Sequence, residues 1–244
     1  MTTHLTLGST SSRHPGRFFY LFLTQVLLLV LFPYLETPGL PTVFIRLLGV
    51  LAFLSCVYAV SEKRAQWISA LVLALPSGVL NTLYALRPTP QIAVPTLVCS
   101  LMFLVFALAF LLRAVLRVER VTPDTIYGAV SVYLLMAVLW AAAYLLLETV
   151  QPGAFSMDSS RHPNQVMGWT DCMFFSFVTL TTIGYGDIVP MTPHARSLSI
   201  LEAVGGTLYV AVLISRLVGL YSAANFGRGP ARQEGSSRPG GEEG

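Results

Sequence analysis

The chain has 244 residues, 54% hydrophobic and only 11% charged, with a formal net charge of +3. A soluble domain carries about 25% charged residues, so this composition excludes an ordinary soluble enzyme and reads as a membrane protein. The positive charge is spread over loops rather than gathered in a block, so no nucleic-acid partner is expected, and the three cysteines (Cys56, Cys99 and Cys172) lie in apolar sequence without the spacing of a disulfide framework or metal site.

Residues 1–16 are polar and expected to be disordered. Six apolar runs follow, at 18–35, 43–60, 67–86, 92–112, 126–147 and 197–223. About 20 apolar residues cross a bilayer as a helix, so each run predicts one span. The first run could pass for a signal peptide, but Phe32-Pro33-Tyr34-Leu35-Glu36 is too bulky for a cleavage site, so the helix is expected to be retained. Basic residues fall mostly in one set of loops: Arg13, Arg17, Lys63, Arg64, Arg113, Arg117, Arg120, Arg228, Arg232 and Arg238. The positive-inside rule places that set and both termini in the cytoplasm of a multi-pass protein. The third run carries Pro76-Ser77-Gly78, a break that reads either as a proline kink or as a binding site for a regulatory ligand. Residues 148–168 hold Pro152, Gly153, Asp158, Arg161, His162 and Pro163 and are expected to form a polar loop in water.

The sequence from 169 to 181, WTDCMFFSFVTLT, predicts a helix of about 20 Å, too short to span. Asp171 sits in its first turn, where the helix dipole favours an acid. Directly after it, residues 181–187 read TTIGYGD. Gly184 and Gly186 can adopt positive φ without a Cβ clash. In the last run, Ala203, Thr207, Val210 and Ile214 recur at 4-3-4 spacing on one helix face, beside Gly205-Gly206. Glu202 is an acid in the middle of a membrane helix, which is costly and therefore a mark of function. It is expected against the short helix, hydrogen-bonded to Ser176, Thr179 or a neighbouring subunit's hydroxyl, as a brace or in gating. Residues 226–244 read as a disordered tail.

These motifs over 125–222 resemble the pore of tetrameric potassium channels, whose selectivity filter is written T-V-G-Y-G-D. The resemblance implies an all-α membrane protein of six transmembrane helices, with a re-entrant pore helix and filter between the last two. It implies a pore domain over 121–225, preceded by a four-helix domain over 17–120. Backbone carbonyls of Thr182, Ile183, Gly184 and Tyr185 would hold K⁺, with Gly186 completing the filter and Asp187 at its mouth. Ala203, Thr207, Val210 and Ile214 would line a cavity, and Gly206 stands where the family has its hinge glycine. Packing explains that glycine equally well. One filter per chain implies a homotetramer in the plasma or inner membrane, with lipids as the other partner, no cofactor beyond K⁺, and no enzymatic activity. No regulatory module is expected in the 19 residues of the tail.

Several residues depart from the pattern. The run at 92–112 lacks the regularly spaced arginines of voltage-gated members, and Arg113, Arg117 and Arg120 are expected just beyond it in an interfacial linker. Phe174 and Phe175 occupy positions where many members have tryptophan, so Asp187 needs a partner other than an indole N–H. Val178 stands where some bacterial relatives carry a glutamate. Two other functions fit fragments of the pattern. A non-selective cation channel would need a relaxed filter, against which Tyr185 argues. Gly184-Tyr185-Gly186-Asp187 also fits the G-x-G-D motif of intramembrane aspartyl proteases, but no second aspartate lies in a preceding helix.

Overall fold

The computed structural model describes residues 16–31, 54–58, 64–118, 122–157 and 167–226. The expected second span lies outside these residues except for 54–58, which is helical; so do most of the N-terminal segment, part of the loop before the short helix, and the tail. The described helices are α1 (Arg17–Leu31), α2 (Arg64–Leu86), α3 (Pro90–Arg117), α4 (Pro123–Val150), α5 (Trp169–Leu180) and α6 (Pro193–Phe226). Four of them, α2, α3, α4 and α6, contain segments long and apolar enough to cross a membrane.

Two sequence expectations change. Helix α3 does not stop at 112 but continues through Arg113 to Arg117, so both arginines belong to its last turns and not to a linker. Arginine is a good helix former whose apolar stem can lie along a helix while its head reaches the interface. The segment after α4 is not all irregular. Phe155–Met157 forms strand β1, antiparallel to strand β2, Ile188–Pro190, with Ser156 opposite Val189. Phe155 and Met157 are buried while Ser156 faces out.

The boundaries have local causes. Thr122 caps α4: its hydroxyl accepts from the Thr125 N–H at 3.2 Å, and Pro123 follows at the first helical position. In the first turn, Asp124 accepts from the Phe19 N–H at 3.2 Å, so one carboxylate ties the start of α1 to the start of α4. The two helices therefore begin at the same end. Helix α2 runs through Pro76 without interruption. Beside the proline, Ser77 and Asn81 bond to Ser100 of α3 at 3.2 and 2.8 Å.

The front half packs as one layer around α3 and α4, with Leu111, Val115, Ala129 and Val132 at its centre. Gly128 sits at a crossing, where an added Cβ would lie 3.0 Å from Phe18 and 3.2 Å from Val115. In lipid, leucine gains little by burial, because the surrounding tails are equally apolar; close approach at small residues and hydrogen bonds between helices hold such a bundle together. The inter-helix bonds fit that account. Tyr209 of α6 donates to the Ala129 carbonyl at 2.7 Å, and Arg216 of α6 donates to the Val118 carbonyl at 2.9 Å. Val118 is the C-cap of α3, where the helix dipole favours a cation.

Candidate functional site

Helix α5 packs on α4 and α6 and delivers residues 181–187 at its C-terminal end. Asp171 accepts from the Gly168 N–H at 2.9 Å and closes the helix's first turn. At the other end the chain turns sharply. The Ile183 N–H donates to the Val178 carbonyl at 2.9 Å, and the Thr182 N–H to the Thr179 carbonyl at 3.0 Å. Val178 contributes through its main chain, not through a side-chain acid. Beyond the turn, φ is +58° at Thr182, +61° at Gly184 and +79° at Gly186, while Ile183 and Tyr185 keep negative φ. For a β-branched residue such as Thr182 a positive φ is a true outlier, costing about 1–2 kcal/mol. Nothing in the Thr182 side chain itself favours this conformation. The signal was available: stepping back by two from Gly186 and Gly184 lands on it.

Ile183 and Tyr185 are exposed on the single chain, at 54% and 68%. The Tyr185 ring stacks on Phe174, with centroids 6.1 Å apart and planes 4° from parallel. Phe175 points the other way, buried edge-on against Tyr144 and Phe155. Asp187 finds its partner in the main chain, accepting from the Ile188 N–H at 3.1 Å. Ile188 then enters β2, whose pairing with β1 anchors the segment on the far side of the motif. The loop before β1 is held by Glu148, whose carboxylate accepts from the Gly153 N–H at 2.9 Å and the Phe155 N–H at 3.2 Å. Glu148 opens the stretch expected only as a polar loop in water. Replacing it with alanine strips two charge-assisted bonds from a half-buried corner, and we expect a loss of about 1–2 kcal/mol. The expected result is a lower unfolding temperature in detergent, with Glu148→Gln intermediate; an unchanged midpoint in both variants would remove this role.

Behind the motif lies Glu202, fully buried. Its two oxygens meet the hydroxyls of Tyr144 on α4 and Ser176 on α5, so the carboxyl joins three helices. Thr179, the other residue expected there, is not one of the two hydroxyls on this carboxyl. Ser176 Oγ also lies 2.8 Å from the Ala137 carbonyl. One turn further on, Gly206 is buried, and a Cβ there would meet Leu180 Cδ1 at 2.6 Å and the Leu180 carbonyl oxygen at 3.3 Å. That carbonyl, at the end of α5, accepts from the Tyr133 hydroxyl at 3.0 Å, and the Tyr133 ring stacks on Tyr209 of α6. Ala203 is half-buried, whereas Thr207, Val210 and Ile214 are exposed on the single chain. Thr207 turns its hydroxyl back to the Ala203 carbonyl at 2.9 Å. Cys172 of α5 is fully buried among apolar side chains, as a small packing residue is.

Comparison with known proteins agrees with this architecture. A sequence model of the ion channel family matches residues 132–223. The inward rectifier potassium channel Kirbac3.1 of Paramagnetospirillum magnetotacticum is 35% identical over 101 residues, covering 40% of this chain and 30% of that protein. The potassium channel protein kcv of Paramecium bursaria Chlorella virus 1 is 33% identical over 73 residues, covering 30% of this chain and 76% of the viral protein. The voltage-gated potassium channel Kch of Escherichia coli is 25% identical over 184 residues, covering 75% of this chain and 39% of that protein. No solved structure matches significantly. The chain spans less than a third of the length of the inward rectifier it matches. It belongs to the potassium channel family. Membership, with its long apolar helices, makes it a multi-pass membrane protein and lends the protease alternative no support.

Proposed function

We propose that four copies of this chain form a passive, K⁺-selective pore, with residues 182–186 as its filter. The observation that carries this reading is the alternating backbone at Thr182, Gly184 and Gly186. In an ordinary strand successive carbonyls point to opposite sides. Alternating handedness turns them to one side, so Thr182, Ile183, Gly184 and Tyr185 offer a column of oxygens. Four such columns around one axis replace the hydration shell of K⁺. The hydroxyl of Thr182 adds the innermost ring, and Asp187 stands at the mouth.

Several features of the single chain favour four-fold assembly. The column has no enclosing wall within one chain, and Ile183 and Tyr185 expose apolar surface beside it. An open cleft of about 660 Å³ lies between Tyr185, Phe174, Met157 and Asp187. A neighbouring copy supplies the missing packing. Helix α5 enters the membrane from one side, and its C-terminal carbonyls present partial negative charge to a cation in the cavity. Ala203, Thr207, Val210 and Ile214 face that cavity. The positive-inside rule sets both termini in the cytoplasm of the plasma or inner membrane, with the filter mouth outside. The preceding helices pack on α4 and face lipid on their other sides.

The test is ion flux from liposomes containing purified protein. K⁺ is expected to pass far faster than Na⁺, and crosslinking in mild detergent to show four subunits. Equal K⁺ and Na⁺ flux would favour a non-selective cation channel and sink the selectivity claim. A conducting dimer would sink the assembly.

A further inference from the structure

The three-helix joint at Glu202 has more contacts than its hydroxyls have protons. Three close oxygen pairs meet there: Tyr144 with Glu202 Oε2, Ser176 with Glu202 Oε1, and Ser176 with the Ala137 carbonyl at 2.8 Å. Each needs one hydrogen between its oxygens. Tyr144 and Ser176 bring two. A carbonyl brings none, so the pair with Ala137 must be donated by Ser176. Left without a hydrogen, two lone-pair oxygens at that distance repel. Ser199, also beside Tyr144, gives its own hydroxyl proton to the Ala195 carbonyl at 2.9 Å and can supply nothing.

We infer that Glu202 carries the third proton: it is a neutral carboxylic acid that donates to Ser176 Oγ, accepts from Tyr144, and so positions α5 behind the filter. This rests on the pore reading for its consequence, but not for the proton itself. The resulting chain runs from Tyr144 to Glu202 to Ser176 to the Ala137 carbonyl, every hydrogen in place. None of its side-chain oxygens is among the buried atoms left without a partner. The surroundings fit a neutral group. Among the described residues, the ionisable groups around the joint are Tyr144 and Tyr133 on α4 and Cys172 on α5, with Asp171 and Glu148 beyond Cys172. None of these is a cation, so an ionised Glu202 would be a buried, unpaired charge. Two hydroxyls alone would offset its removal from water, and the Ser176 contact with Ala137 would be lost as the serine turned to the carboxylate.

The consequence is a positioning residue with a pH signature. Raising pH until Glu202 loses its proton is expected to break the joint between α4, α5 and α6. K⁺ flux should then fall reversibly at alkaline pH. Glu202→Gln reproduces the neutral donor–acceptor pattern: its amide N–H₂ donates to Ser176 and its carbonyl accepts from Tyr144. That variant should fold, conduct K⁺ as wild type does, and lose the alkaline fall. A residue that only filled space would leave the pH profile unchanged.

The deciding measurement is infrared spectroscopy of the wild-type protein in lipid at neutral pH. A protonated carboxylic acid gives a carbonyl stretch distinct from carboxylate bands. That band is expected in wild type, absent in Glu202→Gln, and displaced in Ser176→Ala. Should Glu202→Gln not assemble, the displacement by Ser176→Ala decides alone. A wild-type spectrum without the band overturns the assignment, as does a band unchanged by both variants. A protein that shows the band but passes no K⁺ overturns the pore reading and leaves the proton where it is.

Discussion

Gly186→Ala and Gly184→Ala are each expected to abolish K⁺ flux while leaving the helices folded. Both glycines hold positive φ, and in both cases an added Cβ meets nothing within 4 Å. The effect is therefore conformational. An L-residue with a side chain costs about 1 kcal/mol or more in this region. If four chains share one filter, the total reaches about 4 kcal/mol, a roughly 1000-fold loss of correctly formed filters. Thr182 already stores strain in the same segment, so little tolerance remains. Gly153 provides the control. Its φ is +83° and its surroundings are equally open, but it lies in the turn before β1. Gly153→Ala carries a similar backbone cost outside the filter and should keep selective flux. Liposome flux assays across the three variants check the expectation. Conduction within about twofold of wild type in Gly184→Ala or Gly186→Ala would remove the filter assignment.

The second large effect is expected from the adjacent glycines of α6, which should behave oppositely. A methyl at Gly206 would press on the Leu180 side chain at 2.6 Å, and Leu180 is itself buried. Overpacking of this kind costs about 1–3 kcal/mol. It also bears on the Leu180 carbonyl at the end of α5, the last fixed point before Thr182. Gly206→Ala should therefore lower both oligomer stability and flux. At Gly205 a Cβ meets nothing within 4 Å, so Gly205→Ala should be neutral or raise helix stability by about 1 kcal/mol. Thermal melting of the assembled protein, with flux measured in parallel, separates the two. The comparison also distinguishes the two readings of Gly206. If the position serves as a hinge, alanine should alter opening without changing the melting temperature. If it serves close packing, melting falls first.

Much of the site was legible because its chemistry is local. TTIGYGD is contiguous, the short helix before it is set by length, and Glu202 stands out as a charge in an apolar run. The conformation at Thr182 was less visible, since a β-branched residue gives no local reason to adopt positive φ; the alternation imposed by its neighbours does. The partners that hold the site were hidden for a different reason. Tyr133 and Tyr144 sit in an apolar helix whose pattern does not distinguish them from neighbouring lipid-facing residues. Their hydroxyls acquire meaning only when Leu180 and Glu202, far along the chain, are brought beside them. Strand β1 has three residues and pairs with a strand more than 30 positions away, too little sequence for period-two alternation to register. Glu148 opens a stretch that reads only as a polar loop, and its role depends on the turn that folds back onto it. The extension of α3 through Arg113 and Arg117 was missed because charge was read as a boundary, whereas long side chains let a helix continue into the interface.

The bond from Arg216 to the Val118 carbonyl limits how the end of α6 remote from the filter can move. A guanidinium that caps another helix tolerates displacement of only about an ångström before the bond is lost. The remote end of α6 therefore travels with α3, or it leaves behind an uncapped helix end and an unsatisfied cation. The same end of the bundle carries the bond from Asp124 to the start of α1. Cutting the chain just before α4 would free both side chains at once, so a pore excised from its front helices starts with two broken latches, one on each of its long helices.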